Sequence, residues 1–473
     1  MINRPLKIFF SGIGGSGVSA IACFMADRGH TVTGSDRSFD SNPAHPLYTL
    51  LKSNGILIVP QDGNALDRSF DFAVFSTAVE HDTPEFIKIA SLGIPIKTRP
   101  EYLADLASEF KTIAVAGTSG KSTTAGMLAF LMQKLGLRPN FISGGRVKQF
   151  KTEKHPGNSL SGDSDILIME ACESDGTITR YKPEHVILLN LHLDHHAIEV
   201  TAEMFKTLID NKRGLVVMNA DDQKLRKITT KNVITFSIDY PSKYKATDII
   251  YKPWNTDFSL YGIHFTLSLP GRYNLYNALS CIAMLSEMGI SMKDISTIIH
   301  EYEGIERRFD VHLNDGKWLV IDDYAHNPHK LSSLMQAMKN IRKGVCYIFQ
   351  PHGFGPTRMM KEEYIDVFAQ NLDDSDHLIL LPILYVGGTA RKDISSHDLA
   401  DGIRDKGKSV EVIEERDDIL KILHKWDNYV ICGARDETLS DFARVIAETL
   451  TSSHSPYSTS PQLLPLPTSP SRL

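Results

Sequence analysis

The run Gly117-Thr118-Ser119-Gly120-Lys121-Ser122-Thr123 constrains this chain more than any other segment. It follows a short apolar stretch, 112–116, that reads as a buried strand, and it precedes a helical pattern over 121–135. A strand that turns on glycines into a helix aims backbone N–H groups and the positive helix end at an anion. Lys121 then reaches the outer phosphates of a nucleoside triphosphate, and the Ser122 hydroxyl serves magnesium. Gly117, Thr118, Gly120 and Thr123 complete the expected phosphate cradle. The usual spacing asks for glycine at 115, where Val115 stands, so the loop is a shortened variant.

Strands alternate with helices on both sides of this loop, the pattern of parallel α/β sheets. Before it, strands are expected over 6–11, 31–34, 56–59, 72–76 and 94–97. After it come strands over 166–170 and 186–190, a more alternating stretch over 232–269 that reads as added β structure, and a helix over 277–287. A third section starts at a buried strand near Trp318 and continues through 345–350, 377–381 and 429–432. Residues 451–473 are rich in Ser, Thr and Pro without periodicity and read as a disordered tail. The 473 residues are 42% hydrophobic and carry a net charge of -6, which opposes a nucleic-acid partner. The five cysteines are scattered and never spaced as CxxC, which fits reduced thiols in the cytoplasm. No apolar run reaches the roughly 18 residues of a membrane span. The first apolar run, Ile8-Phe9-Phe10, leads into a glycine turn as a strand does, rather than forming a signal peptide.

Four further constellations carry chemistry. Gly12 to Gly17, with Asp36 at the end of the next strand, has the form of a dinucleotide fingerprint, although glycines there serve a tight turn equally well. With a triphosphate site downstream, a nucleotide-linked substrate on Gly14, Gly15, Ser16 and Gly17 is favoured over a redox cofactor. Glu170-Ala171-Cys172-Glu173-Ser174-Asp175 stands at a strand end near the loop, where carboxylates bind Mg²⁺, and Glu173 is the chosen ligand. Three histidines in 192–196 have no cysteine partners, which favours one imidazole assisting a second Mg²⁺ over a zinc site. Asn274 and Asn277 precede a helix, where they cap it or bind adenine. Arg307-Arg308 supplies two cations, one of which could neutralise a transferring phosphoryl group, and Asp322 to Pro328 sets His326 after a buried strand.

Taken in order, these motifs resemble the Mur ligase family, and within it the alanine-adding branch, over about residues 6–448. Pro270-Gly271-Arg272-Tyr273-Asn274 and Phe349-Gln350-Pro351-His352 add to the resemblance. The resemblance implies an α/β fold of three domains. These are a Rossmann-like domain for a UDP-sugar (1–110), a P-loop ATPase domain with extra β structure (111–312) and a Rossmann-like domain for the amino substrate (313–450). It implies ATP and Mg²⁺ as cofactors, UDP-N-acetylmuramate and an amino acid as partners, and a cytoplasmic monomer or homodimer in peptidoglycan precursor synthesis. It implies catalysis through an acyl phosphate by Lys121, His195, Arg308 and His326, and substrate contacts from Asp36, Arg99, Tyr324 and His352.

The departures from that pattern are specific. Ser119 and Ser122 stand where the branch has His and Thr, Cys172 where it has Asp, and Ala197 where it has a second Asp. Gly353 and Pro356 replace two arginines implied to hold the incoming carboxylate. Either Arg358 or Arg391 is therefore the expected relocated clamp, or the acceptor is not L-alanine. A peptide-recycling ligase and a non-catalytic UDP-sugar-binding paralogue are the competing readings.

Overall fold

The computed structural model describes residues 4–42, 44–194, 196–385 and 391–452. The chain divides into two compact units, 1–306 and 307–473.

The first unit carries two large sheets. Its first sheet is five-stranded and parallel, in the order Leu57–Ile58, Thr31–Ser35, Lys7–Ser11, Phe72–Phe75, Ile96–Thr98. Ile8, Phe9 and Phe10 are all buried, as both faces of a strand flanked by helices must be. The order reverses direction beside Lys7–Ser11, and this creates a crevice at the carboxyl ends of the strands, where open α/β sheets bind ligands. The helix Arg99–Ser108 starts on a capping box, in which Thr98 and Glu101 each satisfy the other's backbone N–H.

The second sheet has eight strands, with Lys111–Ala116 flanked by His185–Leu188 and Ile166–Glu170. The stretch expected to be added β structure divides. Val233–Ser237 and Tyr244–Lys245 extend this sheet, while Thr247–Tyr251, Thr256–Leu260 and Ile263–Leu267 form a separate antiparallel sheet.

The two large sheets share one unit because one core joins them. Cys23 and Phe24 of the helix Ser16–Asp27 belong to the same buried cluster as Ile142, Leu167 and Met169 of the second sheet. Asn158 Nδ2 donates to the Ser16 carbonyl at 3.0 Å and to Ser19 Oγ at 3.1 Å, which fixes the first turn of that helix.

The second unit is built on a six-stranded sheet in the order Asp310–Asn314, Leu319–Asp323, Asn428–Gly433, Val345–Gln350, His377–Leu380, Val410–Val412. All neighbours are parallel except the first pair. Arg307 and Arg308 precede that antiparallel edge strand and fall within this unit, which begins at Arg307. No helix among the described residues is long and apolar enough to cross a membrane.

Candidate active site

In the first unit the second glycine loop follows Lys111–Ala116 and opens the helix Lys121–Lys134. The missing glycine at 115 has a structural reason: Val115 is fully buried inside the strand, opposite Glu170, and no turn is needed there. Gly120 is required, since its φ is +89° and a Cβ would sit 2.5 Å from Asn277 Oδ1. Asn190 staples the loop, accepting from the Ser119 N–H at 2.8 Å and donating to the Ser119 carbonyl at 3.0 Å. Thr118 Oγ1 donates to the His192 carbonyl and accepts from the His192 N–H. Thr123 is buried, and its carbonyl accepts from the Tyr302 hydroxyl at 3.3 Å.

Lys121 Nζ donates to the Gly117 carbonyl at 2.7 Å and to Glu173 Oε2 at 2.9 Å. Burial opposes its charge, but Cys172 and the Glu173 and Glu170 carboxylates outweigh this and hold its pKa above the ordinary lysine value. Ser122 Oγ donates to Glu170 Oε2 at 2.9 Å, and Glu170 Oε1 accepts from Ser143 Oγ and from the Gly144 N–H at 2.9 Å. Glu170 is thus a site residue that sequence reasoning quoted without giving it a role.

Glu173 is 1% exposed, and its Oε1 has no hydrogen-bond partner among the described residues. A buried carboxylate oxygen left over beside a serine hydroxyl and a second carboxylate suits a hard cation that takes oxygen ligands from protein and phosphate together. His195 lies outside the described residues. Asn274 and Asn277 lie inside the helix Arg272–Glu287 rather than before it, and Gly271 is its N-cap. Both are buried, with Asn277 Oδ1 against Gly120 and Asn274 Nδ2 on the Pro270 carbonyl at 2.8 Å.

The first glycine loop is shaped by Asp36. Its Oδ2 accepts from the Gly14 N–H at 2.8 Å, and a Cβ on Gly14 would fall 2.8 Å from that oxygen. Its Oδ1 accepts from the Ser38 N–H and hydroxyl, so both oxygens help to hold the loop. Gly15 caps the helix Ser16–Asp27, and Arg99 lies over Gly17, with its Cδ 3.4 Å from where a Cβ would be. Arg99 also pairs with Asp175 at 2.7 Å, which links this loop to the acidic segment of the second. Gly144 closes the connection: a Cβ there would stand 3.7 Å from Ser16 Oγ and 3.9 Å from Glu170 Oε1. The two glycine loops therefore face one shared polar region.

In the second unit the loops after Leu319–Asp323, Asn428–Gly433 and Val345–Gln350 meet at one end of the sheet. Arg307 is structural. It is 6% exposed, bonds Asp322 through Nε at 3.0 Å, and donates to the carbonyls of Asp436 (2.9 Å) and Gly433 (3.0 Å). Burial alone would weaken its charge, and the Asp322 carboxylate more than offsets this. Arg308 is half-buried, with its guanidinium 4.6 Å from the Tyr324 ring centre. Arg307 and Phe309 on either side of it both have positive φ, at 59° and 51°. Such backbone strain costs roughly 1–3 kcal/mol per residue and persists where surrounding contacts over-determine it. Those contacts include Asp323, which accepts from the Phe309 and Ala325 N–H groups at 2.7 Å each.

His326 Nδ1 lies 2.9 Å from the Tyr324 carbonyl, which assigns the proton to Nδ1 and leaves Nε2 toward Lys330 Nζ at 3.3 Å. The rings of Tyr324, His326 and His352 are in sequential edge-to-face contact at 5.6 Å. Arg358 and Arg391 do not join this cluster. Both are tied to Asp393, Arg391 Nε at 2.9 Å, and Arg358 also donates to the Arg391 carbonyl.

A phosphate loop with a half-buried lysine, a hydroxyl and two carboxylates at the end of the neighbouring strand defines an enzyme that uses a nucleoside triphosphate. Three family models match the chain: Mur ligase family, catalytic domain, over 7–111; Mur ligase middle domain over 115–285; and Mur ligase, glutamate ligase domain, over 307–435. The chain belongs to the Mur ligase family, and it is an ATP-dependent, ADP-forming ligase. It is 32% identical to the UDP-N-acetylmuramate–L-alanine ligase of Sulfurihydrogenibium sp., over 94% of this chain and 99% of that one. It is 31% identical to the enzyme of that name from Caldanaerobacter subterraneus subsp. tengcongensis, over 89% of this chain and 92% of the other. Among solved structures, the UDP-N-acetylmuramate-alanine ligase of Thermotoga maritima superposes with a TM-score of 0.79 at 25% identity, covering 95% of this chain and all of that one. The murein peptide ligase of Psychrobacter arcticus shares the fold, with a TM-score of 0.69 at 22% identity over 94% of this chain and 98% of its own.

Two neighbouring arginines are expected to separate cleanly. Arg307→Ala leaves Asp322 buried and unpaired and should destabilise the second unit by about 3–5 kcal/mol in urea unfolding. Arg308→Ala should leave the unfolding midpoint in place and lower kcat by about 10²–10³-fold. Equal effects of the two on stability would contradict the assignment.

Proposed function

We propose that this enzyme forms an amide between the carboxylate of UDP-N-acetylmuramate and the amine of an amino acid, as the names of its 31–32% identical relatives describe for those proteins. The observation that carries this reading is the shared polar region of the two glycine loops, bridged by Gly144 and by the Arg99–Asp175 pair. A nucleotide-sugar diphosphate on the N-terminus of the helix Ser16–Asp27 and a triphosphate on that of Lys121–Lys134 would then lie next to each other. A cavity of about 320 Å³ beside the first loop, lined by Ser76, Thr77, His81 and Phe86, suits the pyrimidine base.

In the reaction, a substrate carboxylate oxygen attacks the γ-phosphorus, the bond to the β–γ bridging oxygen breaks, and ADP leaves. The amine then attacks the acyl phosphate carbonyl, loses a proton, and expels inorganic phosphate. Lys121 holds the outer phosphates and Arg308 offsets charge on the transferring group. Gly120 leaves room for Asn277, the residue assigned to meet adenine in this reading. Ser122, Glu170 and Glu173 would hold Mg²⁺, which neutralises phosphate charge when bound. His326, whose Nδ1 faces the Tyr324 carbonyl and whose Nε2 lies 3.3 Å from Lys330 Nζ, is the residue assigned to accept the amine proton. A cytoplasmic location follows from the substrates of this reading.

Mass spectrometry of the products from ATP, Mg²⁺, UDP-N-acetylmuramate and a mixture of amino acids tests it. One conjugate, heavier than the UDP-sugar by an amino acid less water, should appear with one ADP and one phosphate. ADP without any conjugate, or a conjugate that forms only when peptides replace the amino acids, refutes it. In the same assay Lys121→Ala should lower the rate by at least about 10²-fold. Glu173→Gln should raise the Mg²⁺ concentration needed for half-maximal rate, whereas a purely structural Glu173 would leave that concentration unchanged.

A further inference from the structure

We propose that Arg435 holds the carboxylate of the incoming amino acid, an assignment that rests on the function proposed above. Arg435 follows the strand Asn428–Gly433, which lies between Leu319–Asp323 and Val345–Gln350 in the sheet. It therefore stands between the loops that carry Tyr324 and His326 on one side and His352 on the other. The contact is direct: the Arg435 N–H donates to the Tyr324 hydroxyl at 3.1 Å.

The loop is held before any ligand arrives. Arg307 clamps the carbonyls of Gly433 and Asp436, one on each side of Arg435. The Asp436 carboxylate is bound in turn by Arg416 and by the Thr438 N–H at 3.0 Å. Arg435 has φ +64°, a conformation that glycine adopts freely and arginine does not. The chain keeps a strained arginine where glycine would be easier, and packing does not account for it. The side chain is exposed, and no side chain among the described residues bonds its guanidinium. The other two candidate cations, Arg358 and Arg391, already share Asp393. An unpaired guanidinium on a loop anchored by Arg307, Arg416 and Tyr324 suits bidentate capture of a carboxylate, with little ordering of the loop left to do on binding.

The test uses the full-length enzyme, ATP, Mg²⁺ and UDP-N-acetylmuramate, with the amino acid that the wild type turns over best. In Arg435→Gln the KM for that amino acid should rise tenfold or more. The KM values for ATP and the UDP-sugar should change less than twofold, and Arg435→Lys should recover part of the loss. The preference of the wild type for the amino acid over its amide should disappear in Arg435→Gln. Arg435→Gly should show the same KM defect with an unfolding midpoint equal to or above that of the wild type, the opposite of what a structural arginine gives. An acceptor KM within twofold of the wild type in both Arg435→Gln and Arg435→Gly overturns the assignment. Failure of the wild type to conjugate any amino acid overturns the proposed function and this inference together, and is recognised before any variant is measured.

Discussion

The carboxylate of Glu170 accepts hydrogen bonds from Ser122, Ser143 and Gly144, and the arrangement of the nucleotide site depends on these contacts. A carboxylate drawn into a protein is tolerable only when its lone pairs are met. Meeting them here draws the start of the helix Lys121–Lys134 toward the segment that abuts Ser16. The first glycine loop, the second glycine loop and the acidic strand end are thereby joined through one side chain and one backbone amide. Lys121 and Glu173 complete the arrangement as an ion pair at 2.9 Å, one of whose oxygens remains available for a cation.

The second unit repeats this principle with the charges reversed. There the hub is a cation, Arg307, whose donors reach one carboxylate and two carbonyls across two strand ends. Arg307 is committed to the fold, whereas its neighbour Arg308 lies over the Tyr324 ring. The same clamp presents Arg435 on the next loop. A single buried guanidinium thus sets the positions of two others.

The site was legible in the sequence where the signal is local. Lys121 and Ser122 follow a glycine at fixed spacing at the start of a helix, and that spacing alone specifies where their side chains go. Asp36 was located correctly at a strand end, but its two oxygens turned out to serve Gly14 and Ser38. Asn274 and Asn277 were read as preceding a helix that in fact starts at Arg272. Arg307 and Arg308 could not be told apart, since adjacent identical residues differ only in what surrounds them. Arg358 and Arg391 were natural choices by proximity to the His352 motif, yet an intervening carboxylate, Asp393, claims both. Arg435 carried no sequence signal, because its meaning lies in a positive φ and in the strands beside it.

By itself the sequence determined the alternation of strands and helices, the two glycine turns that end in helices, and the order of the motifs along the chain. Those properties follow from side-chain periodicity and from the steric demands of the backbone within a few residues. The tertiary structure alone decided that Glu170 meets Ser122, 48 residues away, and that Arg307 meets Gly433, 126 residues away. Such pairings depend on which strands become neighbours in a sheet. Neighbour order is set by burial of the whole apolar surface, a property of the entire unit that no short segment encodes.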